Sequence, residues 1–312
     1  RCRCSCNRRK PKIRLPRNRL SLIMKRMFAY IFLALGAGAV AANADNWVRD
    51  AEPAILEVHY TRTEVTDTTK RETNYFNEET MLRIGDSMSL YCSVPRFYRD
   101  SLMFNNRALY FQMEAASFEK DPREHDRTSL ERSGRYGSFI YKNYPEGKVT
   151  ETAYFEMQDW RYDEDWEKPV WDISDESKDI IGYQCFKATT DFRGRRWTAW
   201  FAPEIPIQDG PWKLCGLPGL ILEAEDNHSE YRFVANGLKQ KGLAEVGFLC
   251  YREKRSVSNV TRDKFFNNWW KYDNSNFGAK MSSMFGKGSS PAASEKKVSQ
   301  RDKEETNYPH DL

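Results

Sequence analysis

Apolar residues along this chain come in short runs and alternations rather than in long helical stripes. Ile55–Tyr60, Met81–Ile84, Met88–Cys92, Tyr183–Thr189, Trp197–Phe201, Leu220–Ala224 and Tyr231–Ala235 are rich in β-branched and aromatic residues, and Gly, Asp, Asn and Pro separate several of them. That pattern predicts strands joined in antiparallel meanders. One hairpin is expected to turn near Gly85-Asp86 and another at Phe192-Arg193-Gly194-Arg195. Two stretches read as helices: Leu109–Lys120, and Asn259–Tyr272, whose Lys-Phe-Phe-Asn-Asn-Trp-Trp core suggests an amphipathic helix packed on the sheet. Helices and strands do not alternate, which argues against a doubly wound α/β fold. The expected class is mainly β: an antiparallel, strongly curved sheet or partial barrel with one or two packed helices.

Charge divides the chain into two parts. The first 44 of the 312 residues hold 11 Lys+Arg and no acid, leaving 38 basic against 45 acidic side chains in the rest. The remainder is therefore acidic, and no basic patch supports nucleic-acid binding. From Met24 the order is Met-Lys-Arg, an apolar run Met27–Val40, then Ala42-Asn43-Ala44 before Asp45. This is the pattern of a cleaved secretory signal peptide, and its apolar run is shorter than the roughly 20 residues of a membrane-spanning helix. Residues 1–23, with Cys2, Cys4 and Cys6 among Arg, Lys and Pro, read as sequence upstream of the true start at Met24 rather than as a zinc site. The expected organisation is an upstream leader at 1–23, a signal peptide at 24–44, a β-rich domain at 45–279 and a flexible tail at 280–312.

No catalytic constellation emerges, and no catalytic, cofactor-binding or metal-ligating residue is assigned. Glu156–Asp179 holds ten carboxylates and three basic residues, but its spacing fails the calcium-loop pattern. With Trp160, Tyr162, Trp166 and Trp171 among the acids, it reads as an exposed strand or loop with its aromatics turned inward. Gly85-Asp86-Ser87 resembles a lipase nucleophile motif but sits in a hairpin, so it reads as a turn. His59, His125, His228 and His310 are scattered, and His228 reads as a turn residue. Gly216-Leu-Pro-Gly219 carries Pro where a phosphate loop needs a free N–H.

The most informative stretch is Trp171–Asp226. Ile205-Pro206, Gly210-Pro211 and Leu217-Pro218-Gly219-Leu220 punctuate a rigid, Trp-flanked connection between two strands. Leu217–Leu220 fits a type II turn with φ > 0 at Gly219. Such a segment either lines a groove or plugs one end of a barrel, and its apolar content favours the plug. Leu220 and Ile221 are expected inside; Trp212 and Leu217 are expected to be partly exposed. Trp200, Trp212, Leu217, Pro218 and Gly219 are the candidate ligand or partner surface.

The run Gly216-Leu217-Pro218-Gly219-Leu220-Ile221 closely resembles the GLPGLI family of exported proteins from Bacteroidota-type bacteria, over about residues 160–237. The resemblance implies a protein of the periplasm or cell envelope and carries over no catalytic residue. The expectation is a non-enzymatic binding or accessory factor linked to an outer-membrane uptake system. Its partner would be an outer-membrane receptor or an apolar or peptide-like ligand, with no nucleic acid, no cofactor and no span of the membrane. A secreted hydrolase and a structural or chaperone-like factor are the alternatives. Export makes two disulfides among Cys92, Cys185, Cys215 and Cys250 possible, against buried free thiols. Cys185–Cys215 is the expected pair, because both lie in the compact motif region.

Overall fold

The computed structural model describes residues 47–65, 67–118, 136–156, 158–250, 257–273 and 304–307, all within one compact unit, Asn46–Leu312. In chain order its elements are β1 (Val48–Glu52), β2 (Leu56–Val65), β3 (Tyr75–Ile84), β4 (Ser89–Ser93), α1 (Val94–Asn105), α2 (Arg107–Phe118), β5 (Ser138–Lys142), β6 (Lys148–Phe155), β7 (Gln158–Asp165), β8 (Asp172–Ile180), β9 (Tyr183–Phe192), β10 (Arg195–Ala202), β11 (Leu220–Asp226), β12 (Tyr231–Lys239), β13 (Val246–Leu249), β14 (Val257–Asn259) and α3 (Arg262–Asp273). The expected leader segments, His125 and His310 lie outside the described residues.

Two antiparallel meanders, β2–β7 and β8–β12, join where β12 pairs with β2, giving a 12-stranded sheet ordered β14-β7-β6-β5-β4-β3-β2-β12-β11-β10-β9-β8. Only the short β14 runs parallel to its neighbour, β7. The sheet curls back on itself without closing. Strands sit about 4.8 Å apart, so β7 and β10, eight positions apart, would be roughly 40 Å from each other in a flat sheet. Instead Arg193, in the turn before β10, places its Nη1 2.8 Å from Glu164 Oε2 on β7. Register shifts between Trp200 and Phe201, and between Ala235 and Gly237, supply local bending of the kind bulges give.

Curling creates an inside and an outside, and strand periodicity sorts side chains between them. Leu82, Tyr91 and Ile140 point into a large core shared with Trp197, Ala199, Leu222 and Phe233. Their neighbours Met81, Leu90, Cys92, Phe139 and Tyr141 point out, into a second core closed by Val94 and Phe97 of α1 and by Val246, Phe248 and Leu249 of β13. β13 pairs with β1 as a separate two-stranded ribbon. Strands β4 and β5 are thus buried on both faces.

The segment 203–219, between β10 and β11, fills the interior. Trp212 (2% exposed), Leu214 and Leu217 (1%) sit in the main core. Trp212 lies 5.3 Å from the Trp197 ring and 5.9 Å from Phe192. Leu220 N bonds to Ile205 O at 3.0 Å and Gly216 N to Gln208 O at 3.1 Å, so the segment folds on itself. The buried Lys142 ammonium pairs with Asp209 and donates to Gly210 O at 2.6 Å, pinning the segment to β5. Leu220 and Ile221 are interior, as expected.

Several expectations need correcting. Trp212 and Leu217 are not partly exposed, because a curled sheet leaves a volume that only apolar side chains fill without stranding polar groups. Gly219 does not have positive φ; that conformation falls on Gly216 (φ 90°) and on Trp212 (φ 53°). Gly219 is needed for close approach instead, since a Cβ there would overlap the Ala202 carbonyl and come within 2.9 Å of Pro203 Cα. Helix α1 was not anticipated, although Ser93 caps it, accepting from Arg96 N at 3.2 Å, with a Pro in its first turn. The acidic stretch forms β7 and β8. Tyr162 is buried and Trp166 and Trp171 pack against the core, while most of β8 is exposed.

Candidate binding site

Where the two meanders meet beside the plug, charged side chains are buried together. Lys213 (2% exposed) stands inside the apolar plug between Trp212 and Leu214. Its ammonium reaches Glu151 of β6 at 3.4 Å, Glu164 of β7 at 3.0 Å, and Glu305. It also bonds the Tyr162 hydroxyl and lies 5.4 Å over the Phe266 ring of α3. Burial alone would favour the neutral amine, but Glu305, Glu164 and Glu151 outweigh it and hold Lys213 above the ordinary lysine range. Arg262, at the start of α3, adds a second cation: it pairs with Glu305 and sits 3.4 Å from Glu164.

A second cation set lies alongside. Arg62 on β2 is buried, with Nη1 donating to Glu64 at 2.8 Å and Nε and Nη2 forking onto Glu304 Oε1 at 3.0 and 2.7 Å. Its guanidinium stands 4.7 Å over the Tyr136 ring and 5.3 Å over Tyr231. Burial pushes the Tyr136 hydroxyl well above its ordinary value, and the charges of Glu304 and Glu151 push it further.

Both sets converge on one segment. Glu304 (2% exposed) and Glu305 (0%) enter as neighbours and address Arg62 and the Lys213/Arg262 pair respectively. Thr306 then bonds the β9–β10 turn, its N–H donating to Arg193 O at 3.0 Å and its hydroxyl to Gly194 O at 2.9 Å. Gly194 is required there: its φ is +82°, and a Cβ would come within 2.9 Å of Asn307 N. At the same turn opens a cleft of about 480 Å³ lined by Asp191, Phe192, Gly194, Arg195, Arg196, Asn227 and His228. Glu304–Asn307 was expected within a flexible tail; ion pairs to the buried Arg62 and Lys213 and to Arg262, with a backbone bond to Arg193, make it part of the packed molecule instead.

The sequence-based surface does not assemble. Trp212, Leu217 and Gly219 are interior, Pro218 is exposed, and Trp200 is half-buried on β10 beneath the Lys178 ammonium, 4.3 Å from the ring centroid. Apolar character marked these residues, and apolar character is what drew most of them into the core. The residues that do converge, Arg62, Lys213 and Arg262 with Glu304 and Glu305, were missed. Lys213 carried a signal, a lone charge inside an apolar run; Glu304-Glu305, in a polar tract, carried none.

The expected Cys185–Cys215 disulfide is not formed; Cys92, Cys185, Cys215 and Cys250 are free thiols. Placement explains this. Cys185 lies in β9 near Lys178, Asp179 and Glu223, whereas Cys215 lies in the plug near Lys142, Asp209 and Lys168. Burial pushes each thiol up to about 11, which keeps it neutral.

Ser87 is a turn residue, as expected: its hydroxyl donates to Glu52 at 2.6 Å and its N–H to the same carboxylate at 2.9 Å. His228 likewise lies in the β11–β12 turn, its N–H donating to Asp226 at 3.3 Å. His59 is held between Glu79 at 2.8 Å and Glu57 at 3.0 Å. Among the described residues no group of three or more His, Cys, Asp or Glu is placed to hold a metal ion. None of the described helices is long and apolar enough to cross a membrane.

Residues 193–223 match a family model described as "Protein of unknown function (Porph_ging)". That span runs from the β9–β10 turn through the plug into β11. No curated protein matches the chain significantly. Two solved structures of PNGF-II, in the P21 and C2 space groups, are similar at 13% identity and a TM-score of 0.45, covering 70% and 71% of this chain. The chain spans about a third of the length of those structures, 33% and 34%. A likeness of that size carries no argument about function. What the chain shares with a known family is thus the stretch from the β9–β10 turn through β10 and the plug into β11.

Proposed function

We propose that this chain is an exported cell-envelope protein that acts as a non-enzymatic binding or accessory factor, linked to an outer-membrane uptake system. The finer assignment to the GLPGLI family rests on Gly216–Ile221, and export rests on the leader pattern before Asp45. The observation that carries the binding role is the groove beside the plug. It accepts the segment Glu304–Asn307, buries two of its carboxylates against cations and bonds its backbone to a tight turn, and recognition of acidic motifs by clustered cations is a recurring peptide-binding mode.

The test is site-specific photo-crosslinking in the exporting host. A photoreactive residue at Arg196, which lines the open cleft, is compared with one at the exposed Phe111 of α2. Capture of a discrete envelope protein or peptide from position 196 alone, on a chain whose N-terminus is Asp45, supports the reading. The same adducts from both positions, or a native N-terminus upstream of Met24, overturn it.

A further inference from the structure

We infer that the groove formed by Arg62, Lys213 and Arg262 is a binding site for a peptide carrying two adjacent glutamates, and that Glu304–Asn307 is its resident, displaceable occupant. This rests on the binding role proposed above and names the ligand's chemistry.

The selectivity follows from geometry. The chain bends at Glu304, so neighbouring side chains of the segment take different directions. Glu304 turns to the Arg62 fork on β2, and Glu305 turns to Lys213 in the plug and Arg262 on α3. Two separate cation sets therefore read two consecutive carboxylates. The next position is read by hydrogen bonds through Thr306 to the β9–β10 turn, and Arg262 reaches the Asn307 carbonyl at 3.3 Å. Charge-assisted bonds of this type are stronger than neutral ones, so a glutamine or an apolar residue at either position binds less well.

Displacement is feasible because the cations are not stranded when the segment leaves. Arg62 keeps Glu64, Lys213 keeps Glu151 and Glu164, and Arg262 keeps Glu164. A buried cation that loses every partner loses all of its compensation; one that retains a partner keeps part of it. Main-chain attachment of the segment to the sheet is slight. Among the described residues one backbone–backbone bond, Thr306 N–H to Arg193 O, ties it to the sheet, against the continuous ladders of the strands. The cleft lined by Gly194 opens at the turn that Thr306 bonds. Segment and ligand would compete for one site, so the wild-type chain is self-blocked.

The experiment uses the full-length protein carrying Glu304→Gln and Glu305→Gln together, and a fluorescent peptide of residues 302–308, Asp-Lys-Glu-Glu-Thr-Asn-Tyr. Anisotropy should show binding to the double variant about tenfold or more tighter than to wild type, with a like loss when both peptide glutamates are replaced by glutamine. In parallel, hydrogen exchange on the wild-type protein should show the Thr306 amide opening much faster than that of Tyr60 in β2, since the segment leaves without unfolding the sheet. Equal binding of both peptides to a variant that melts like wild type overturns the inference. So does a Thr306 amide that exchanges only as slowly as Tyr60, a readout that holds even if the variant fails to fold. Failure here with specific crosslinks still arising at Arg196 removes the ligand class and leaves the binding role standing.

Discussion

Gly219 shows how one residue type can be right for a reason other than the expected one. The turn pattern asked for positive φ, but the position is demanding because β10 passes against it at the Ala202 carbonyl. Gly219→Ala should therefore destabilise by about 2 kcal/mol or more, since the clash is with backbone that cannot rotate away; urea unfolding measures it. His59 makes a different residue-scale prediction. Its hydrogen bonds to Glu57 and Glu79 outweigh burial and raise its pKa to about 9. Burial alone would raise Glu57, yet the His59 bond and the Arg83 charge bring it down to about 2. A raised histidine stabilises fully below its unfolded value near 6.5 and loses that contribution as pH climbs through 9. The lowered Glu57 contributes fully above about 4.5 and loses it as pH falls through 2. Between about pH 4.5 and 6.5 both are intact. Melting temperature should fall between pH 6.5 and 9.5, by the equivalent of about 2–3 kcal/mol at most, and His59→Gln should flatten that slope. The two shifts share one interaction and do not add.

At the scale of elements, the strands that were legible are those with one clear alternation. β2, β9, β10, β11 and β12 begin within three residues of the runs that marked them. β5 and β6 escaped because their pattern is broken by residues whose partners are remote. Ser138-Phe-Ile-Tyr-Lys142 ends on a charge that is buried only because Asp209 meets it from the plug. β8 escaped because an exposed, acid-rich edge strand has little apolar signal; its charges also discourage pairing with another chain. Helix α1 had a legible start, Ser93 before Val94-Pro95, but a sparse apolar stripe after it. Ser93→Ala should lower stability by about 1 kcal/mol by leaving the Arg96 amide without its cap. Thermal melts check this, and Ser93→Asp should restore most of the loss.

For the whole molecule, Lys213 ties the plug to three other parts of the chain. Its ammonium holds β6 through Glu151, β7 through Tyr162 and Glu164, and the late segment through Glu305. Removing one member of a buried ionic group is costly because the remaining charges stay buried. Lys213→Met keeps the apolar stem and should cost about 3 kcal/mol or more, read by denaturant unfolding. Adding Glu151→Gln to Lys213→Met should recover part of that loss, since the stranded charge is removed.

The sequence by itself determined the class of fold, the antiparallel meanders, the hairpin turns at Gly85-Asp86 and Arg193-Gly194, and the inward course of Leu220 and Ile221. Each follows from local periodicity or turn chemistry, which are written in neighbouring residues. Tertiary structure alone decided that Trp212 and Leu217 fill the interior, that Cys185 and Cys215 stay apart, and that Arg62, Lys213 and Arg262 gather around Glu304 and Glu305. Those outcomes depend on how far the sheet curls, and curvature sums small twists and bulges over twelve strands. The partners it brings together are distant in sequence: Glu304 lies 242 residues from Arg62, and Glu305 lies 92 from Lys213. No local pattern encodes a contact of that range, because the attraction becomes strong only after folding has brought both charges together and lowered the dielectric around them.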